Sequence, residues 1–269
     1  MELANLSRDA LFLIALELDL PDLLALCDSH TKIDRAICQR TEFWNYKLIN
    51  EFPNEKEYFL SFKSPREVYE LLLSLKVIKR FLDQLNHEDK NKSLIEIYNL
   101  QQLNLTDKKL KGIPKEIGNL VNLKNLDLTH NQLKEIPREL GNLFNLTSLN
   151  FHSNKLEEIP KELGNLINLR DLHLAYNQLK EIPSELGELA NLTYLSLNNN
   201  RLLAIPSELG GLSNLTLLSL DTNPIREFPK ELGNLINLEE ITLNRSHLKI
   251  IPKELRDLIK SHKISVDIN

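Results

Sequence analysis

The side chains best suited to chemistry in this chain are two cysteines and three regularly spaced histidines. Cys27 and Cys38 lie on apolar stretches, which favour small buried side chains over reactive thiols. His130, His152 and His173 could hold a metal by their number, but no carboxylate that would orient the imidazoles is evident. The sequence shows no phosphate-binding loop, no Cys-X-X-Cys and no serine–histidine–aspartate spacing. We therefore expect no catalytic residue, no metal and no cofactor.

The elements that must position these histidines follow a repeat of 23 residues. Its lines begin at Leu110, Leu133, Leu156, Leu179, Leu202, Ile225 and Leu248. Each line has a proline at its fifth place, and the first five carry an asparagine near their end. These asparagines are Asn131, Asn154, Asn177, Asn200 and Asn223. A fixed period of this length is typical of a solenoid, in which each repeat packs only on its neighbours.

One line shows how a repeat should fold. Leu172 and Leu174 alternate with polar residues, which predicts a short strand with one buried face. Asn177 follows where the chain must turn, and its amide can bond backbone groups of its own and adjacent repeats. Pro183 and Gly187 then bracket a helix of one or two turns on the opposite side. Neighbouring repeats must cover the leucines, because no single line can bury them.

The pattern LxxLxLxxN with IPxELGNLxNL resembles the leucine-rich repeat family, close to its intracellular Ras-group type, over about residues 94–269. The resemblance implies an α/β solenoid whose parallel sheet forms a concave face of about eight strands. In that family the exposed strand positions bind partner proteins, so the resemblance implies binding and not catalysis. Secreted members usually carry cysteine-rich caps. The two cysteines, both outside the repeats, therefore favour an intracellular location, cytoplasmic or nuclear.

The candidate partner contacts on the concave face are aromatic, histidine and short polar side chains. They are Asp127, His130, Asn150, His152, His173, Tyr176, Tyr194 and Asn198. Exposed aromatic residues among small polar ones are typical of a protein-binding hot spot. An ordinary solvated surface is the alternative interpretation of the same residues.

Residues 1–92 contain no repeat and are predicted to be helical. A helix from Ser7 to about Leu18 is apolar nearly all round, so its spare face must meet either a partner or later helices. Further helices should begin at Asp19, Thr31 and Thr41. A capping box at Ser64 should start a long joining helix over about 65–86. We place the domain boundary in the following polar loop, giving domains at 1–92 and 93–269.

A second resemblance lies in this helical part. The stretches LSRD, LFLI, LD and DLLALC, followed by Phe43-Trp44, resemble an F-box at about residues 3–50, although Ser7 stands where that family usually has proline. The resemblance implies docking on a Skp-type adaptor of a cullin–RING (SCF-type) ubiquitin ligase. By resemblance the adaptor contacts are Leu6, Leu11, Ile14, Pro21, Leu23 and Leu24. Each of these residues could equally belong to an ordinary core.

Together the two resemblances imply a non-enzymatic adaptor, the substrate receptor of such a ligase, which holds a protein substrate on its repeats. The alternative is a leucine-rich repeat scaffold or GTPase-pathway binding protein with no ubiquitin role. An enzyme with a catalytic cysteine would need a reactive thiol in a separate domain. The net charge of −5 is evenly spread, which argues against nucleic acid and membrane surfaces as partners. No signal peptide and no membrane span is expected.

Overall fold

The structure is a computed structural model, and it describes residues 11, 14–16, 18, 20–29, 37–61, 63–262 and 265–268. The chain divides into two compact units. Unit 1 comprises Met1–Asp83 and His87–Ile97, and unit 2 comprises Gln84–Asn86 and Tyr98–Asn269. Among the described residues, no helix combines the length and the apolar character needed to cross a membrane.

The described residues of unit 1 are mostly helical. The helices are α1 (Leu20–Ser29), α2 (Thr41–Glu51), α3 (Lys56–Leu60), α4 (Pro65–Gln84) and α5 (Leu94–Tyr98), with a short 3₁₀ helix at Glu88–Asn91 before α5. The start of α2 at Thr41 is confirmed, and Phe52 caps the C-terminal end of this helix. The predicted helix starts at Ser7, Asp19 and Thr31 lie outside the described residues.

Aromatic side chains form the core of unit 1. The Trp44 ring lies 5.1 Å from the ring of Phe43 and 5.5 Å from that of Tyr69, and Phe52 packs edge-on against Tyr69 at 5.8 Å. The indole Nε1 of Trp44 donates to the carbonyl of Cys38 at 2.8 Å, so its polar atom is satisfied inside the core. These contacts fix α2 against α4.

Helix α4 begins at the predicted capping box. Ser64 donates through its Oγ to the Glu67 carboxylate at 2.6 Å, and its backbone N–H donates to the same oxygen at 2.9 Å. These hydrogen bonds hold the pKa of Glu67 below its usual range. The buried residues of α4 follow helical spacing and are Val68, Leu71, Leu72, Leu75, Ile78 and Leu82, joined by Tyr69. The helix ends at Gln84, so Leu85, which the sequence also placed on this apolar face, lies beyond it and is half-buried.

The sequence did not indicate that the two cysteines pair. Cys27 and Cys38 are both buried, as predicted, but they are joined by a disulfide. Their Cα atoms lie 6.1 Å apart, within the span that a disulfide bridges. The bond removes both sulfurs as candidate nucleophiles. Disulfides are common in oxidising compartments and rare in the cytosol, so this bond does not support the predicted intracellular location.

Burial divides the six positions predicted to contact an adaptor. Leu11 and Leu23 are 1% and 0% exposed, so their side chains belong to the core of unit 1. Ile14 is 37% exposed and could reach a partner. Leu6 lies outside the described residues, and Pro21 and Leu24 are described only as part of the backbone of α1.

Unit 2 is built on one parallel sheet whose eight strands follow chain order from β1 to β8. The strands are Gln102–Asn104, Asn125–Asp127, Ser148–Asn150, Asp171–His173, Tyr194–Ser196, Leu217–Ser219, Glu240–Leu243 and Ser265–Ile268. Equivalent residues pair across neighbouring strands, as Leu149 pairs with Leu172. The register therefore confirms the predicted repeat and the number of strands.

A short 3₁₀ helix follows the proline of each of the first six lines, on the opposite side of the repeat. These helices are Lys115–Asn119, Arg138–Asn142, Lys161–Asn165, Ser184–Glu188, Ser207–Gly211 and Lys230–Asn234. The preceding proline takes an extended conformation, as Pro160 does with φ −69° and ψ 141°. The predicted turn of helix is confirmed, and its 3₁₀ geometry suits a five-residue segment.

The buried asparagines form the predicted ladder of side-chain hydrogen bonds. The Asn177 oxygen accepts from the N–H of Leu156 at 3.0 Å. Its Nδ2 donates to the carbonyls of Phe151 and Leu174 at 3.0 and 3.1 Å. One side chain thus satisfies buried backbone groups of its own repeat and of the preceding one, because the turn lacks helix or sheet partners for them.

The repeated glycines serve a purpose that differs from the expected one. From the preference for glycine at helix ends, we expected these residues to terminate the short helices. Among the described residues, however, no glycine has the positive φ that such a role would use. A Cβ on Gly164 would instead overlap the carbonyl of Glu185 in the next repeat. Glycine is therefore needed because successive 3₁₀ helices approach each other closely, backbone to backbone.

The last repeat departs from the pattern. Ser246 stands at the ladder position, and the adjacent His247 is buried instead. The His247 Nδ1 accepts from the N–H of Asn244 at 3.2 Å, and its Nε2 lies 3.1 Å from the carbonyl of Asn223, to which it donates. The chain then forms α6 (Lys253–His262), an α-helix of two to three turns where earlier repeats have a single 3₁₀ turn.

Candidate protein-binding surface

The candidate site lies on the exposed side of the parallel sheet, which we call the sheet face. In each strand from β1 to β6 a buried leucine is flanked by residues that point away from the core, as Asp171 and His173 flank Leu172. This alternation follows from the pleat, in which successive side chains point to opposite sides. The sheet face therefore displays the residues that sequence analysis placed on the concave face.

A left-handed residue follows each of the first six strands at the same place. These residues are Asp107, His130, Ser153, Tyr176, Asn199 and Thr222, with φ between 53° and 57°. Non-glycine residues adopt this conformation at a cost of about 1–2 kcal/mol each. The bend ends the strand and turns the chain toward the ladder asparagine, and it sets the backbone that carries His130 and Tyr176. The repeat pattern alone does not predict this bend.

The predicted aromatic and histidine residues form two groups of rings. The His152 ring lies 5.7 Å from that of His130 and 5.0 Å from that of Tyr176, both in edge-on geometry. The His173 ring lies 4.6 Å from that of Tyr194 at a tilt of 35°. We call the first set the outer ring group and the second set the inner ring group. Tyr176 remains 51% exposed, so its ring is open to a partner.

Two of the predicted polar contacts also stabilise the turn after their own strand. The Asp127 carboxylate accepts from the N–H of Thr129 at 2.9 Å and from its hydroxyl at 2.5 Å. The Asn150 oxygen accepts from the N–H of His152 at 2.9 Å. Asn198 is half-buried in the turn after β5. Short polar residues at these positions therefore have a local structural role in addition to any contact with a partner.

Burial makes His152 and His173 weaker bases. It lowers the pKa of His152, and the neighbouring His130 lowers it further, against an opposing effect of Asp127. Burial also lowers the pKa of His173, against the opposing effect of Asp171. The imidazoles of His152 and His173 are therefore neutral near pH 7 and act there as uncharged rings.

The three histidines do not form a metal cluster in the part of the chain that the structure describes. The group there whose ligand atoms come within 4.8 Å of one another is His87, Glu88 and Asp89. The Nδ1 of His87 already accepts from the Asp89 N–H at 3.2 Å, and Lys92 pairs with the Asp89 carboxylate at 3.3 Å. These contacts stabilise the turn that contains the three residues and account for their proximity.

Asp171 and a second asparagine ladder were not predicted from the sequence. Asp171 lies on the sheet face beside Tyr194, its register partner on β5. Its position just before the central strand leucine could have placed it on the sheet face, because residues on either side of that leucine point away from the core. A second asparagine ladder was also missed: the Nδ2 of Asn168 donates to the carbonyl of Phe144 at 2.7 Å, and the same bond recurs in other repeats. The repeated LxNL motif carried that signal.

Comparison with known proteins identifies the repeats. No curated protein sequence matches the chain significantly. The profile described as "Leucine-rich repeat region" matches residues 154–269, and the profile described as "Leucine rich repeat" matches residues 98–156. Residues 98–269 are leucine-rich repeats. Leucine-rich repeat proteins act in protein–protein binding, and their fold is typically a non-enzymatic scaffold.

Solved structures agree with this identification of the fold. A leucine-rich repeat protein of Leptospira interrogans is 35% identical over 66% of this chain and 45% of its own, with a TM-score of 0.57. The plant peptide hormone receptor RGFR1, solved in complex with RGF2, is 39% identical over 55% of this chain and 25% of its own, with a TM-score of 0.52. The chain spans less than half the length of either protein. The parallel sheet and its leucine-rich repeats therefore make unit 2 an α/β solenoid.

Proposed function

We propose that this chain is a protein-binding adaptor whose sheet face holds a partner protein. The observation that carries the proposal is the pair of ring groups on that face, in which five aromatic or imidazole rings lie within 5.7 Å of a neighbour. Mutual packing restrains these rings before a partner arrives, so less conformational entropy is lost on binding. Rigid aromatic side chains surrounded by short polar ones are typical of binding hot spots.

The test is affinity capture with the full chain in extract from its source organism. We expect a captured partner to be lost in the double variant Tyr176→Ala/Tyr194→Ala. The matched control is Phe144→Ala/Ile167→Ala, which removes apolar side chains that are 49% and 58% exposed outside the sheet face. Retention of every partner by the tyrosine variant, with loss in the control, would overturn the proposal.

A narrower role follows from the N-terminal resemblance. We propose that residues 3–50 bind a Skp-type adaptor and that the chain is the substrate receptor of a cullin–RING ubiquitin ligase. The F-box-like pattern supports this role, and the exposed Ile14 offers a contact. The test is co-purification of the full chain with a recombinant Skp-type adaptor. Ile14→Asp should abolish the complex, whereas Val77→Asp, at a 38% exposed position on α4, should preserve it.

The alternative role is a scaffold or GTPase-pathway binding protein with no ubiquitin function. Burial of Leu11 and Leu23 favours it, because these predicted adaptor contacts already serve the core of unit 1. The Cys27–Cys38 disulfide also weighs against a ligase role, since such ligases work in reducing compartments. If the folded chain does not bind the adaptor, this alternative becomes the better proposal, and the role of the sheet face is unaffected.

A further inference from the structure

We infer that the segment bound by the sheet face is basic and extended, with an arginine or lysine that pairs with Asp171 and lies against the inner ring group. This inference deepens the proposed function and rests on it. It names the chemistry of the partner, which the aromatic character of the face alone does not determine.

The charge of the sheet face is the first argument. Four positions in and just after each of strands β1 to β7 lie on the sheet face. Their carboxylates are Asp107, Asp127, Asp171, Asp221 and Glu240, and their one cation is Arg245, at the end of the sheet. Asp221 is buried and accepts from the Thr242 hydroxyl at 2.6 Å, so four carboxylates face the partner. An acidic surface steers cationic partners toward it and disfavours anionic ones.

Asp171 is the second argument. Its side chain is half-buried on β4, and its carboxylate has no hydrogen-bond or ion-pair partner among the residues that the structure describes. A carboxylate that has lost part of its hydration without gaining a partner favours the approach of a cation. Lys124 and Arg170, which precede strands β2 and β4, are exposed and lie outside the four positions that form the face.

The inner ring group is the third argument. Tyr194 is the register partner of Asp171, so its ring and the carboxylate lie on adjacent strands. The His173 ring packs against Tyr194 at 4.6 Å, and both Asp171 and Asp127 act electrostatically on His173. A cation over a tyrosine face gains a cation–π attraction, and a planar guanidinium can also pair with a carboxylate through two N–H groups. Arginine therefore suits this site better than lysine.

Asp127 sets the expected spacing of two basic residues. It lies two strands from Asp171 and at the other end of its strand, with its Oδ1 occupied by Thr129 and its second oxygen without a bond to a described residue. Strands lie about 4.8 Å apart and rise about 3.3 Å per residue, which places the two carboxylate positions about 12 Å apart. An extended segment covers that distance in about three to four residues.

The experiment is selection of a random displayed-peptide library on the full chain, followed by anisotropy titration of synthetic peptides. We expect enrichment of arginine or lysine pairs three or four positions apart. Asp171→Asn, which keeps the shape of the side chain, should weaken binding by about tenfold. The control Glu188→Gln removes one charge from the opposite side of the repeat, in the 3₁₀ helix Ser184–Glu188, and should leave the affinity unchanged.

The outcomes separate this inference from the proposed function. Peptides without basic enrichment that lose binding in Tyr194→Ala would overturn the inference and leave the sheet face as a binding site. Basic peptides that bind Asp171→Asn as tightly as the unmodified chain would also overturn it. A library that yields no binder counts against the inference as well, and the affinity capture then decides the proposed function by itself.

Discussion

At the scale of single residues, the ladder asparagines show how one side chain can stabilise a repeat. Each occupies a turn where backbone groups are buried without secondary-structure partners. The repeat alone predicted this role, since an amide that both donates and accepts is required at a fixed position. It could not predict that His247 closes the ladder, because a histidine one place beyond the ladder position carries no periodic signal. The packing of the last repeat decides that contact.

Asn177→Ala tests the ladder. The substitution leaves the buried N–H of Leu156 without its partner. It also removes one of two bonds to each of the Phe151 and Leu174 carbonyls, which still accept from Asn154 and Asn200. We expect the free energy of unfolding, measured by urea denaturation, to fall by about 3 kcal/mol. The control Asn168→Ala, from the same repeat, removes an exposed bond and should cost about 0.5–1 kcal/mol. Equal losses in the two variants would contradict the ladder account.

The sheet-face histidines predict how stability depends on pH. The folded chain holds the pKa of His152 and His173 below the ordinary value of about 6.5, so the unfolded chain takes up protons first as the pH falls. The two neutral imidazoles therefore contribute fully to the free energy of unfolding above about pH 6.5. This contribution is lost as the pH falls from 6.5 through the lowered pKa values of the folded chain. The charged or titratable groups around them are His130, Asp127 and Asp171.

Replacing His152 and His173 together by glutamine should reduce this dependence. We expect the loss of unfolding free energy between about pH 7 and pH 5 to be smaller in the variant than in the unmodified chain. His247, whose pKa burial also lowers, remains in both proteins and contributes equally. Urea denaturation at the two pH values measures the difference. Identical losses would show that the two imidazoles are not protected from protonation by the fold.

At the scale of elements, the position of the short helices was predicted correctly, but the role assigned to their glycines was incomplete. Proline and glycine predicted a short helix on the side opposite the sheet, and the structure has one. The glycine, however, is required by the approach of the next repeat. Arg256 stands in place of this glycine in the line that begins at Leu248, and there α6 runs to ten residues. A single line of sequence cannot reveal contacts between lines.

Gly164→Ala tests the close approach. The added Cβ would overlap the Glu185 carbonyl, which is backbone and cannot move aside without displacing the repeat. We expect a loss of about 1–3 kcal/mol in unfolding free energy. Gly112→Ala is the matched control, because no described atom lies within 4 Å of the added Cβ, and its effect should stay within about 0.5 kcal/mol. A Gly164→Ala protein as stable as the control would contradict the argument.

Helix α4 offers a test of local signals in unit 1. Its capping box was predicted from sequence because the signal lies within four residues and needs no tertiary context. Ser64→Ala removes both side-chain bonds of the box and should lower the thermal stability of the chain by about 1 kcal/mol. Ser74→Ala, inside the same helix, should be nearly neutral, since alanine is the better helix former. A neutral Ser64→Ala would show that the cap contributes little.

At the scale of the whole molecule, the order of the strands was predictable and the role of unit 1 was not. A constant period fixes both the register and the order of a solenoid, so the sheet could be read from the sequence. The pairing of Cys27 with Cys38 could not, because apolar surroundings suit a free and a bonded cysteine alike. The domain boundary at residue 92 and the adaptor role of residues 3–50 stay proposals.

The most direct test of the central claim is site-specific photo-crosslinking on the full chain. A photoreactive residue at Asn198, on the sheet face, is compared with one at Lys161, on the exposed 3₁₀ side of the repeats. We expect Asn198 to give a protein adduct of defined mass that disappears in the Tyr176→Ala/Tyr194→Ala background, and Lys161 to give none. The same partner crosslinked from Lys161 and not from Asn198 would show that the sheet face is not the binding site.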